Sequence, residues 1–120
     1  MEDIRTEQKE ALEVLVEFNE RLLKNMNIIV KELSGERLDD TENFLNAIIE
    51  GMNWEIEVLN GTLDLLNEGK ERVAQEAFNV ACVKLNEAIQ AKEDASMAAA
   101  FTELIPLFEN LGNAAKEAIA

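Results

Sequence analysis

The chain has 120 residues, enough for one domain, residues 1–120, with its own hydrophobic core. Apolar residues make up 48% and charged residues 30%, which is typical of a folded globular protein and excludes a disordered one. The formal net charge of −14, from 25 acidic and 11 basic residues, argues against nucleic acid and anionic membrane surfaces as partners. A charged partner would therefore be basic.

A first helix is predicted over about residues 3–33. Its apolar residues are spaced three and four apart, as on one buried helix face, and change phase after Leu22. They are Ala11, Leu15, Phe18, Leu22, Met26, Ile29 and Leu33. The phase change argues against a long regular coiled coil. Ser34 and Gly35 end the helix, because glycine readily takes the left-handed conformation found after helix ends.

The second helix has the most regular pattern in the sequence. Asp39 and Glu42 have the spacing of a capping box at its start, and Gly69 is the predicted stop. Its main apolar row alternates steps of four and three, which is the spacing of a helix and not of a strand. This row consists of Leu45, Ile49, Met52, Ile56, Leu59, Leu63 and Leu66.

A second apolar row runs along the same helix, roughly 150° around from the first. It consists of Ala47, Gly51, Trp54, Val58, Gly61 and Leu65. Each interior glycine costs roughly 1 kcal/mol relative to alanine, which close packing of another helix would offset. Tryptophan is also common at interface hot spots. Either other helices of the same chain cover this row, or it receives a partner helix or a second copy of the chain.

A third helix is predicted from about residue 70 to 91, and a fourth follows a polar turn at residues 92–96. The inward residues of the third are Ala74, Phe78, Ala81, Leu85 and Ala88 or Ile89. Those of the fourth are Met97, Phe101, Leu104, Phe108, Leu111 and Ala115. Pro106 lies inside the fourth helix and lacks a backbone donor, so we expect a kink there.

Short connections between long helices favour an all-α fold, an antiparallel up-down-up-down four-helix bundle. The alternative is that the last two segments fuse into one helix, in a three-helix protein that must dimerise.

Residues suited to catalysis or metal binding are scarce. The absence of histidine excludes Ser–His and Cys–His pairs, and the single Cys82 excludes a zinc site and an internal disulfide. The five glycines are scattered and form no phosphate-binding loop. Acids placed against the helix pattern fall off the predicted core faces: Glu50, Glu57, Asp64, Glu103 and Glu109. We therefore predict no enzyme, and no catalytic, cofactor-binding or metal-binding residue.

The N-terminal sequence MEDIRTEQKEAL lacks the apolar core of a signal peptide. No apolar run approaches the length needed to cross a bilayer. A lone cysteine also fits a reducing compartment. We expect a cytoplasmic protein.

The segment DASMAAAFTELIPLFE, residues 94–109, resembles a stretch of small acidic helical proteins from bacterial motility gene clusters. In that stretch a glutamate precedes a Leu-Ile-Pro-Leu run and a second one follows, as Glu103 and Glu109 do here. The general format is also similar to that of flagellar export chaperones, short acidic bundles that hold a helix of a secreted subunit in an apolar groove. The resemblance implies a bacterial protein that binds a motility or export partner without catalysis.

The leading hypothesis is a chaperone- or adaptor-like protein that binds a partner helix through the row centred on Trp54. Apolar anchors would supply the affinity. No basic residue occurs between Arg37 and Lys70, so an acidic rim would select a partner with basic flanks. One alternative is a homodimer that uses the same row. Another is a small-ligand binder or enzyme that uses carboxylates inside the bundle.

Overall fold

Four helices make up the part of the chain that the structure describes. The computed structural model describes residues 2–120, with side chains from residue 4 onward, and that range contains no strand. The helices are α1 (Glu2–Leu33), α2 (Thr41–Leu66), α3 (Gln75–Ala91) and α4 (Asp94–Ile119). The predicted all-α four-helix bundle is confirmed. The fused alternative is wrong, because Lys92 takes a left-handed φ of 55° and ends α3.

The central pair of the bundle is α1 and α4. Arg37, just after α1, bonds to Asp94 at the start of α4 with an Nε–Oδ2 distance of 2.9 Å, as expected for antiparallel helices. Helix α2 packs on α1 and more briefly on α4, whereas α3 packs on α4. Over the described residues α2 and α3 share no extended interface. The bundle measures 48 × 23 × 18 Å.

The buried row of α1 keeps one phase from end to end. It consists of Leu12, Leu15, Asn19, Leu22, Met26, Ile29 and Leu33. The predicted phase change is wrong, since Ala11 and Phe18 lie half-buried at the edge of this row. Asn19 concealed the true row, because a polar residue occupies a core position between two leucines.

The buried arc of α2 lies between the two predicted rows. Its centre is a row seven residues apart, Thr41, Ile48, Glu55 and Thr62, and all four are buried. The predicted main row is buried only at alternate positions, since Ile49, Ile56 and Leu63 are half-buried. The two apolar rows of α2 therefore flank one buried face, and neither row forms its centre. Three polar residues in the central row hid the true core face.

The start of α2 also differs from prediction. The residue before the helix makes no side-chain capping hydrogen bond, so the predicted capping box of Asp39 and Glu42 is wrong. The buried hydroxyl of Thr41 is used instead. It accepts a hydrogen bond from the Leu38 N–H at 2.7 Å and donates to Glu32 Oε1 at 2.7 Å.

Helix α3 begins at Gln75, later than predicted, because an ordered connection follows α2. Asn67 Oδ1 accepts from the backbone N–H groups of Arg72 at 2.9 Å and Val73 at 3.0 Å, and its amide donates back to the Val73 carbonyl. The predicted stop, Gly69, lies inside this connection with a φ of 82°. These bonds satisfy backbone groups that a further turn of helix would have used.

The inward faces of α3 and α4 agree with the sequence pattern in all but one position. Every predicted core residue of α4 is buried, and so are those of α3 from Phe78 to Ala88. Ala74 is exposed, because it precedes α3. Helix α4 runs through Pro106 without ending, and Thr102 Oγ1 donates to the Ala98 carbonyl at 2.9 Å one turn earlier. The kink stays a prediction.

Candidate functional site

A surface cleft lies between α1 and α2 beside Trp54. Its volume is about 310 Å³, and it is lined by Val14, Glu17, Phe18, Arg21, Gly51 and Trp54. The rings of Phe18 and Trp54 meet edge to face, with centroids 5.7 Å apart and planes at 88°. Aromatic pairs favour this arrangement. Val14 is 53% exposed, so the apolar lining is accessible from solvent.

The residues of the second apolar row of α2, which is the predicted binding row, differ in burial. Gly51 and Leu65 are buried, Trp54 and Val58 are half-buried, and Ala47 and Gly61 are exposed. Only Gly51 and Trp54 of the row come together in the cleft. The same chain thus covers part of the row, and binding of a partner to the rest stays a prediction.

The two glycines of the row have different surroundings. A Cβ at Gly51 would lie 2.8 Å from Phe18 Cζ and 3.3 Å from Leu22 Cδ1, so the missing side chain lets α1 residues lie against the α2 backbone. This is the close approach that the sequence predicted. At Gly61 no atom of another described helix lies within 4 Å of the corresponding position, and α1 reaches this glycine through Gln8, whose Nε2 donates to the Gly61 carbonyl at 3.0 Å.

Two buried polar residues follow the aromatic pair directly in the sequence. Asn19 comes after Phe18, and Glu55 comes after Trp54. Asn19 Nδ2 donates to Glu55 Oε1 at 2.9 Å and to the Phe108 carbonyl at 3.1 Å. Asn19 is 5% exposed and Glu55 is 0% exposed. This buried pair therefore joins α1, α2 and α4 behind the cleft.

Gly112 makes room for the buried pair on α4. A Cβ at this position would overlap Asn19 Oδ1. Gly112 lies one helical turn after Phe108, on the same face, so its missing side chain leaves the Phe108 carbonyl accessible to the amide. No pattern in the sequence indicated that Gly112 lies against Asn19.

The environment of Glu55 favours the neutral carboxyl. Burial raises the pKa of Glu55 to about 7, and the hydrogen bond from Asn19 opposes this effect. Glu55 Oε2 has no hydrogen-bond partner among the described residues. The prediction that no acid occupies the core is therefore wrong. The carboxyl of Glu55 gains or loses a proton near neutral pH.

Other reactive groups are less suited to chemistry. Burial raises the pKa of the half-buried Cys82 thiol, which disfavours the reactive thiolate. Arg37 binds both Asp94, at 2.9 Å, and Glu42, at 3.3 Å, and its hydrogen bond lowers the pKa of Asp94. The described residues contain no cluster of three or more potential metal ligands. None of the described helices is both long and apolar enough to span a bilayer.

These features define an acidic four-helix bundle with an apolar surface cleft backed by a buried carboxyl–amide pair. The chain belongs to the family described as Domain of unknown function (DUF8042), which matches residues 10–114. Searches of the curated proteins and of the solved structures give no match to the chain. The matched range contains the whole cleft and the buried pair, so both lie within the domain that defines the family.

Proposed function

We propose that this protein is a non-enzymatic, chaperone- or adaptor-like module that receives an amphipathic partner helix in the α1–α2 cleft. One observation carries the proposal: a half-buried Trp54 packs edge to face on Phe18 in an accessible cleft of about 310 Å³. A half-covered aromatic pair leaves apolar area that a partner can bury, and such aromatic anchors dominate the energy of helix-in-groove complexes.

The charge around the cleft supports a partner with basic flanks. Helix α2 has no basic residue, and Glu50 and Glu57 are exposed on it. Exposed acids also run along α1 beside the cleft: Glu13, Glu17 and Glu20. Such a surface attracts a basic segment during encounter and disfavours an acidic one. Arg21 is the single cation that lines the cleft.

Sequence features support the proposed bacterial origin, cytoplasmic location and non-enzymatic role. The resemblance of residues 94–109 to small acidic helical proteins of motility clusters favours a bacterial protein with a motility or export partner. The lone Cys82 favours the cytoplasm. The absence of histidine favours binding over catalysis. In the cleft lined by both Glu42 and Asp94, Arg37 already forms ion pairs with the two acids.

Isothermal titration calorimetry with two synthetic amphipathic helices tests the proposal. Both helices carry the same apolar face, and one is flanked by lysines while the other is flanked by glutamates. We expect only the lysine-flanked helix to bind. Trp54→Ala and Val14→Gln should each weaken this binding by about tenfold or more, because they remove apolar contacts in the cleft.

The matched control is Val80→Gln on α3, where the valine is 53% exposed, as Val14 is. This control should leave binding unchanged. Equal weakening by Val80→Gln, or no binding of the lysine-flanked helix, contradicts the proposal. Sedimentation over a range of protein concentrations addresses the homodimer alternative. A wild-type dimer that Trp54→Ala dissociates would assign the cleft to a second copy of the chain.

A further inference from the structure

The cleft and the buried pair are built on the same turns of the same two helices. Trp54 and Glu55 are neighbours on α2, and their respective partners Phe18 and Asn19 are neighbours on α1. We propose that Glu55 is a proton-operated latch: protonated, it stays buried beside Asn19 and keeps α2 packed on α1, and ionised, it leaves the core for water, releases this part of α2 and opens the cleft.

The ionised form is poorly accommodated where Glu55 lies. The side chain is 0% exposed, and Oε2 has no hydrogen-bond partner among the described residues. A single neutral amide, that of Asn19, faces the carboxyl. A charge placed there must either attract water into the bundle or move toward solvent. The pKa of Glu55, about 7, places this event near neutral pH.

No charged side chain of the described residues faces Glu55 to compensate its ionisation. Burial and the Asn19 hydrogen bond are the only influences on its pKa. Helices α1, α2 and α4 meet at the buried pair. The charged residues nearest to the pair and its α4 contacts in sequence are all exposed. They are Glu17, Glu20 and Arg21 on α1, Glu57 on α2, and Glu109 and Lys116 on α4. Helix α3 does not pack extensively on α2 and contributes no charge.

Helix α2 is held in the bundle mainly by its contact with α1. It packs on α1 and only briefly on α4, and it shares no extended interface with α3 in the described chain. Gly51 lies one turn before Glu55, and Gly61 lies further along, with no atom of another described helix within 4 Å of its Cβ position and its carbonyl bonded to Gln8 at 3.0 Å. Interior glycines weaken a helix, and segments with few packing neighbours open locally at lower cost.

Trp54 reports on the latch without any partner, because it is the single tryptophan in a chain without tyrosine. We expect its emission to shift to longer wavelength, and its quenching by acrylamide to rise, between about pH 5 and pH 8 with a midpoint near 7. Glu55→Gln mimics the protonated acid and should abolish this transition. Glu57→Gln removes an exposed carboxylate two residues away and should leave the transition in place.

Hydrogen exchange measures the opening itself in the wild-type protein. If the released carboxyl regains its ordinary pKa of 4.5, the opening constant rises on the order of 70-fold from pH 5 to pH 8. After correction for intrinsic exchange rates, protection of α2 amides around Glu55 should fall by this factor, while protection of α4 amides should not.

The ¹³C chemical shift of the Glu55 carboxyl gives the midpoint directly and needs no variant. A midpoint below about pH 5.5 would overturn the latch. So would a Trp54 transition that persists in Glu55→Gln, one that disappears in Glu57→Gln, or equal loss of protection in α2 and α4.

The last experiment rests on the proposed binding function. The lysine-flanked helix should bind the wild-type protein severalfold more tightly at pH 8 than at pH 6, and Glu55→Gln should bind it with little dependence on pH. Absence of binding at any pH counts against the proposed function alone, since the Trp54 titration and the exchange measurement do not involve the peptide. Binding with the same pH dependence in both proteins counts against the latch.

Discussion

When Glu55 is replaced by glutamine, the free energy of unfolding should depend much less on pH than it does in the wild-type protein. The carboxyl has a pKa of about 7 in the folded protein, against an ordinary value of 4.5. The folded state therefore holds an extra proton between these pH values. The stability that this group contributes is fully present below pH 4.5, is lost as the pH rises toward 7, and does not change further above it. At about 1.4 kcal/mol per pH unit, the full effect is about 3 kcal/mol.

Urea denaturation followed by circular dichroism measures this effect. From about pH 5 to pH 8, the stability of Glu55→Gln relative to the wild type should rise by about 2 to 3 kcal/mol. Glu57→Gln, the exposed control, should follow the wild-type curve within about 0.5 kcal/mol. Parallel curves for Glu55→Gln and the wild type would refute the reasoning, because they would show that Glu55 titrates alike in the folded and unfolded states.

The remaining predictions compare positions that have packing or hydrogen-bond partners with exposed control positions. Gly112→Ala should lower stability by about 2 kcal/mol in urea denaturation, because its Cβ would overlap Asn19 Oδ1. Gly61→Ala, in open space, should instead raise stability by up to about 1 kcal/mol, and equal effects would contradict both assignments. Asn67→Ala should lower the melting temperature by several degrees, since about 2 kcal/mol of connection hydrogen bonds is lost. Asn53→Ala at an exposed site should leave the melting temperature nearly unchanged, and a matching fall there would sink the interpretation.

The fold could be predicted because most core positions carry the residues that a helix pattern requires. The inward residues of α4 recur at helical spacing without a polar interruption, so the sequence located its core face correctly. Lys92 and the polar residues after it separated α3 from α4 as expected. These features depend on local spacing, which a single sequence contains.

The buried pair could not be predicted, because each of its members is buried only through a partner from another helix. Asn19 looks like a surface residue until Glu55 and the Phe108 carbonyl face it. Glu55 looks like one more acid in an acidic helix. Both residues lie in core rows with a seven-residue repeat. Because both are polar, the apolar pattern predicted the core face of each helix to one side of its true position. Gly112 has its role only because Asn19 lies against it.

The start of α3 was misplaced for a similar reason. The connection after α2 is held by Asn67 locally and by contacts to α4 at a distance. Asn110 donates to the Arg72 carbonyl at 2.9 Å, and Arg72 forms an ion pair with Glu117. A pattern of helix formers predicts a helix in this region, and only the long-range contacts show why the chain is not helical there.

The pairing of the first helix with the last has a consequence for how the chain is made. The contact between Asn19 and Phe108 spans 89 residues, so α1 and α4 cannot meet until the residues of α4 have left the ribosome. Until then α1 has only α2 to cover its apolar row, and one side of that row faces water. Closing so long a loop also slows folding relative to bundles in which sequential helices form the central pair. The central α1–α4 pair of this bundle therefore forms only after α2 and α3 have been synthesised.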